Sequence, residues 1–124
     1  MNAWTASELS RIDAYEEVRL TPARPDGSMR RLVTVWVVRE GDDVYVRSVG
    51  GREAGWFRGV QLTHEGQIRA GSLDKSVRFV ETDQMSDRID DAYRAKYGRR
   101  YPGIVPSIVA PSARSATLKV VPRD

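Results

Sequence analysis

Apolar positions along this chain switch between helical spacing and strand alternation, and the switches mark out its elements. Trp4-Thr5-Ala6-Ser7-Glu8-Leu9 has the form of a complete helix start. Thr5 is the cap, Glu8 three residues later closes a capping box, and Trp4 can staple onto Leu9. Leu9 and Ile12 follow at helical spacing, which predicts a short amphipathic helix over positions 6–15. Positions 17–20 suit a brief strand, and Pro22, Pro25 and Asp26-Gly27 end regular structure there. The run Leu32–Val38 is rich in β-branched residues and apolar on both faces, so it is expected to be a central strand. Glu40-Gly41-Asp42-Asp43 is a hairpin turn, and Val44–Ser48 returns as the partner strand.

Gly50, Gly51 and Gly55 predict a mobile loop, and positions 56–62 fit either one helical turn or an irregular strand. Glu65-Gly66 is expected to turn the chain. Gln67–Ala70 and Val77–Glu81 then form an antiparallel pair around Gly71-Ser72. Ser86 is expected to cap a second helix, with Asp87 and Asp90 in its first turn and Gly98 at its end. Ile89, Ala92, Tyr93, Lys96 and Tyr97 lie on one stripe of it. Positions 99–114, with three prolines, are expected to be a long loop, with or without one helical turn, and Ala116–Val121 is the last strand. This order lacks a βαβ rhythm, which excludes a doubly wound parallel sheet. Short antiparallel strands with close turns predict a mainly β fold, a small barrel with flanking helices.

At 124 residues the chain is expected to be a single domain, 1–124, with one core. It has no cysteine, which excludes disulfides, thiolate metal sites and a thiol nucleophile. Its single histidine, His64, leaves any metal site dependent on carboxylates, and no metal motif is present. No apolar run approaches the roughly 18 residues of a membrane span. The N-terminal segment lacks a signal pattern, so a cytoplasmic protein that is not membrane-bound is expected. The formal net charge is +3, but the basic residues, seventeen of them arginine, are scattered among acids. That scatter argues against a nucleic-acid partner.

The richest candidate chemistry follows the hairpin. Arg47 and Arg58 can fork onto an anion, Ser48 can donate a hydroxyl, and Gly50 and Gly51 allow close backbone approach. Trp56 can lie against a flat ring. The plainer alternative is a flexible loop with Trp56 as core filler and solvated arginines. Tyr93, Lys96 and Tyr97 form a second candidate, for substrate, or else simply cover the barrel with their rings. His64 suits a solvated turn, Lys75 a turn lysine, and Asp42-Asp43 and Asp90-Asp91 are turn and helix-start residues.

On these residues the chain resembles the split-barrel flavin-binding superfamily, which includes pyridoxamine-phosphate-oxidase-like proteins and deazaflavin-dependent nitroreductases. The similarity is carried by Gly41-Asp42-Asp43-Val44-Tyr45-Val46-Arg47-Ser48-Val49-Gly50-Gly51, by Trp56-Phe57-Arg58, and by the short strand ending near Gly71. In nitroreductase relatives a comparable Asp-rich turn, strand, Ser-Lys-Gly-Gly and Trp-Tyr-x-Asn holds the cofactor. Here Val49 stands where a lysine is expected, and Arg58 near an asparagine. The whole chain is also similar to a small uncharacterised bacterial family, through Trp36-Val37-Val38, Tyr45-Val46-Arg47-Ser48, Ala92–Gly98 and Thr117-Leu118. The resemblance implies a six-stranded antiparallel split β-barrel with flanking helices, and a homodimer with pockets at its interface. It implies FMN or a deazaflavin as cofactor and an oxidoreductase-like role, with Arg47, Ser48, Gly50 and Gly51 on the anion and Trp56 and Arg58 bordering the ring. Val49 in place of lysine favours the alternative of a cofactor-free barrel that binds or converts a small metabolite. A non-enzymatic dimeric module is the third reading.

Overall fold

A computed structural model describes residues 3–123. Helix α1, Ala6–Ala14, begins with the expected capping box: Glu8 N donates to Thr5 Oγ1 (3.1 Å) and Thr5 N to Glu8 Oε1 (2.9 Å). The buried Trp4 indole donates to the Val120 carbonyl at 3.0 Å and ties the helix start to the last strand.

Seven antiparallel strands follow. They are β1 Glu17–Pro22, β2 Val33–Trp36, β3 Val38–Glu40, β4 Asp43–Arg47, β5 Glu65–Ala70, β6 Leu73–Glu81 and β7 Thr117–Pro122. Their order in the sheet is β2-β1-β5-β6-β7-β4-β3. β2 and β3 sit at opposite edges, yet only Val37 separates them in sequence. The sheet therefore curls until one continuous segment serves both edges, which makes a nearly closed barrel split between β2 and β4.

The expected central strand 32–38 is thus two edge strands, and the count is seven rather than six. The reason lies at Val37, which pairs with no strand. Its N–H donates to the Tyr97 hydroxyl at 3.0 Å, and its carbonyl lies 2.9 Å from both that hydroxyl and Lys96 Nζ. The backbone break is satisfied by a helix rather than a ladder.

Period-two alternation sorts the barrel strands. Val44 and Val46 of β4 enter the main core with Val18, Leu20, Ile68, Phe79 and Leu118. Tyr45 faces the other way, onto helix α3, Ser86–Tyr97, in a second cluster with Val38, Ile89, Tyr93 and Tyr97. Four local expectations are corrected. Positions 55–63 form a full helix, α2 (Gly55–Thr63), whose Phe57 and Val60 fill the barrel core. Glu65-Gly66 opens β5 instead of turning the chain, and a Cβ at Gly66 would lie 2.3 Å from the Thr21 carbonyl of the neighbouring strand. The expected loop 99–114 holds two single-turn helices, α4 Val105–Ile108 and α5 Pro111–Arg114. Ser86 is the first residue of α3, and Met85, in a left-handed conformation (φ 59°), precedes it as the cap. Among the described residues no helix is long and apolar enough to cross a membrane.

Candidate functional site

Beyond β4 the chain passes through Ser48, whose N–H holds the Ala116 carbonyl at 3.1 Å, and turns at Gly51 (φ 74°). A 3₁₀ turn, Gly51–Glu53, leads into α2. Ala54 stands at the cap of α2 and offers no side-chain acceptor, so the first-turn N–H groups of the helix lack a capping oxygen. This path sets Trp56, half-buried, on the wall between two hollows.

The first hollow is about 300 Å³. Val33, Val35 and Trp36 of β2 form one side, Gly50 and Val49 the loop side, and Ile104 and Ile108 close it. It lies over the split in the barrel. The second is about 320 Å³, with Arg24, Arg30, Arg31 and the Gly55 end of α2 around it. Trp56 and Val33 belong to both.

The charge around the second hollow is only partly compensated, by Asp26, whose carboxyl pKa is lowered by hydrogen bonds from Ser28 and by Arg24. Among the described residues, Arg30, Arg31 and Arg58 have no carboxylate partner, and Arg24 donates only to the Met29 carbonyl (2.7 Å) and Ser28 Oγ (3.4 Å). By contrast Arg52, Arg69, Arg88, Arg94, Arg100, Arg114 and Arg123 all face acids. The Arg30 side chain lies across α2 at Gly59, where a Cβ would meet Arg30 Nε at 2.6 Å.

The residues singled out from sequence divide. Gly50 and Trp56 line the first hollow. Arg47 contributes to the same wall, but its guanidinium is bonded away from it. Nε donates to Thr117 Oγ1 (3.0 Å), Nη1 to Asp90 and to the Ile108 carbonyl (3.1 Å), and Nη2 to the Ser86 carbonyl (3.1 Å). Four of its five N–H groups brace α3, α4 and β7. Asp90, expected to be a helix-start residue, is its buried counter-ion. Ser48 is fully buried, and its hydroxyl has no hydrogen-bond partner among the described residues. Gly51 packs against Ser112, and Arg58 is exposed a turn further along α2. Neither Gly51 nor Arg58 lines either hollow.

Tyr93, Lys96 and Tyr97 also stand apart from the first hollow. Tyr97 lies directly behind it, stacked on Trp36 at 4.0 Å with the rings 2° from parallel. Burial pushes the Tyr93 and Tyr97 hydroxyls well above the ordinary phenol range. Burial likewise lowers the Lys96 ammonium. His64 closes α2 in a left-handed conformation, its Nε2 3.5 Å from Glu81. No group of three or more acidic or histidine side chains among the described residues is placed to hold a metal ion.

Sequence reasoning passed over Arg24, Arg30 and Arg31. The available signal was a pair of arginines opening an apolar strand just after a Pro-Asp-Gly turn. Their meeting with Trp56, some 25 positions on, depends on the barrel.

Residues 8–120 match the family described as an uncharacterized protein conserved in bacteria (DUF2255). No curated protein sequence matches the chain. Solved structures of the same fold include HutZ, the haem storage protein of Vibrio cholerae. That match has a TM-score of 0.65 at 10% identity and covers 93% of this chain and 87% of that one. A Listeria innocua protein assigned provisionally to the pyridoxamine 5′-phosphate oxidases matches with a TM-score of 0.62 at 14% identity, over 94% and 90% of the chains. An F420-H2-dependent reductase matches at 0.57 and 14%, over 86% and 93%. At these identities the likeness establishes a split-barrel fold.

Proposed function

The chain belongs to this bacterial family, and on that footing we propose that it binds a planar, phosphate-bearing cofactor of the flavin or deazaflavin class. The observation that carries the proposal is the shared wall. Trp56 and Val33 border both a mainly apolar hollow of about 300 Å³, which Glu17 and Thr34 also line, and an arginine-rich one of about 320 Å³. A ring with a phosphorylated tail needs both, joined. Pockets for such ligands start near this size.

The residues present suit the group. Trp56 and Trp36 border the ring, and Gly50 lets the loop backbone approach it. Arg30 and Arg31, with no carboxylate partner among the described residues, hold the phosphate, assisted by the uncapped first turn of α2. The bound ring would supply the redox chemistry of a reductase or oxidase; the chain supplies position, exclusion of water and electrostatics. Arg47 and Ser48 act from behind by holding the end of β4.

The solved neighbours that store haem or depend on F420 handle flat cofactors, which supports the same reading. A homodimer belongs to the proposal. Val49 and Ile104 at the lip of the first hollow and Leu32 at the second are 53%, 50% and 47% exposed, and a second copy would cover them. Val49 at the first lip offers no charge, which favours a second reading: a barrel taking a small apolar metabolite without a cofactor.

An absorption spectrum and a native mass spectrum of freshly purified protein, followed by titration with FMN and with a deazaflavin, test the proposal. The expected result is a dimer that carries a yellow chromophore or quenches its tryptophan fluorescence on adding one. A colourless protein that ignores both ligands would overturn it in favour of the metabolite reading.

A further inference from the structure

The chain has three lysines, and two of them are ordinary. Lys75 Nζ sits 2.7 Å from Glu8, and Lys119 Nζ 3.5 Å from Asp43. Lys96 differs. Its side chain is 16% exposed, its ammonium lies 5.4 Å from the Tyr97 ring centroid, and its hydrogen bond goes to a neutral acceptor, the Val37 carbonyl, at 2.9 Å. Its one ion-pair partner among the described residues is Asp13, at the long distance of 3.8 Å.

The amine opens on a cleft of about 380 Å³ between the end of α1, β3 and α3, walled by Val38, Ala92 and Ala95 and rimmed by Asp13, Arg39 and Glu40. This cleft shares no lining residue with the hollow beside Trp56. The charged and titratable groups facing the amine are Asp13 and Glu16 from the α1 end, Arg39 and Glu40 from β3, and Tyr97 from α3. Arg39 is held by the Gly41 carbonyl (2.7 Å), Glu40 lies 3.7 Å from Arg88, and Arg100 takes Glu16 at 2.8 Å. Among the described residues Asp13 is the one carboxylate in ion-pair range of Lys96, and it is half-exposed at 3.8 Å. Burial lowers its pKa from the ordinary lysine value, opposed by Asp13 and Glu16, and a desolvated amine of this kind is a nucleophile.

We propose that Lys96 is a covalent site for short, uncharged aldehydes. The nitrogen lone pair adds to the carbonyl carbon, and the C=O electron pair moves to oxygen, which takes a proton. The carbinolamine then loses water to leave a C=N bond. No oxidant or reductant enters. The protonated imine keeps one N–H, placed to go on donating to the Val37 carbonyl. The small apolar walls admit a short chain, and the mixed rim of Asp13, Arg39 and Glu40 supplies no dedicated anion site, which favours an uncharged one.

The test uses the full chain with propanal near neutral pH, followed by cyanoborohydride, which fixes an imine as a secondary amine. Peptide mass mapping then compares the three lysines. Lys96 is expected to gain a propyl group several-fold faster than Lys75 and Lys119, and glyoxylate is expected to label it more slowly than propanal does. Labelling of Lys96 at or below the rate of the other two would overturn the proposal, because a merely structural lysine predicts that ranking. Lys96→Arg keeps the donor to Val37 and removes the nucleophile, so it should melt as the parent does and lose the label. Should it fail to fold, the ranking in the parent still decides.

Discussion

Replacing Arg47 with methionine removes the brace behind the site. The change deletes four hydrogen bonds, to Thr117 Oγ1, Asp90 and the Ile108 and Ser86 carbonyls, and keeps most of the apolar stem. Asp90, its side chain 8% exposed, is left, among the described residues, with Arg114 Nε at 3.4 Å as its ion-pair partner. Breaking a buried ion pair by removing one partner costs about 3–5 kcal/mol. The entropy of unfolding is about 2.1 cal/mol/K per residue, so 124 residues give roughly 0.26 kcal/mol/K. The melting temperature should therefore fall by roughly 12–19 °C, and by the same amount with and without added flavin.

Thermal unfolding followed by circular dichroism, at two flavin concentrations, measures this. The double variant Arg47→Met/Asp90→Leu should recover most of the loss, since apolar replacement of a whole buried pair is close to neutral. An Arg47→Met protein that melts within about 2 °C of the parent but loses affinity for FMN would refute the bracing role. It would return Arg47 to the anion.

Arg30→Ala and Arg31→Ala should each weaken FMN binding by about 1.5–3 kcal/mol, roughly 10- to 150-fold, with the melting temperature unchanged. Isothermal titration checks this, and undiminished affinity in both variants would move the phosphate elsewhere. Gly59→Ala puts a methyl 2.6 Å from Arg30 Nε and must push that side chain off the helix. It also gains up to about 1 kcal/mol of helix propensity. FMN affinity should therefore drop while denaturant stability holds or rises; loss of stability alone would show that Arg30 packing matters only to the fold. Burial raises the pKa of Tyr93 and of Tyr97, so their stabilising contribution is complete below the unfolded tyrosine value of about 10 and is lost as pH climbs above it. Tyrosinate absorbance for these two rings should appear together with loss of far-ultraviolet dichroism. Their ionisation in a still-folded protein would contradict their burial.

Local chemistry was legible wherever the signal lay within a few residues. The Thr5–Glu8 capping box needs only a four-residue window and formed as expected. The hairpin at Gly41, with φ 63°, and the alternation of Val44 and Val46 against Tyr45 and Arg47 likewise follow from turn chemistry and a period of two. The stripe along α3 was also visible, but a stripe does not say whether its rings line a pocket or pack. Tyr97 packs, because its hydroxyl is needed at the Val37 break.

What composition and pattern determined by themselves is the class: a mainly antiparallel β fold with flanking helices, free of thiol chemistry, with an aromatic and a glycine loop after the fourth strand. Three things were decided only in three dimensions. The apolar run at 32–38 divides between two sheet edges because closing the barrel demands it, and no local preference marks Val37. Arg47 turns toward Asp90, 43 positions away, because a guanidinium entering the protein interior must find a carboxylate there. Arg30 and Arg31 come to stand beside Trp56 because the β1–β2 connection and α2 share one end of the barrel. Each is a long-range consequence of closure, and a sequence window carries no term for it.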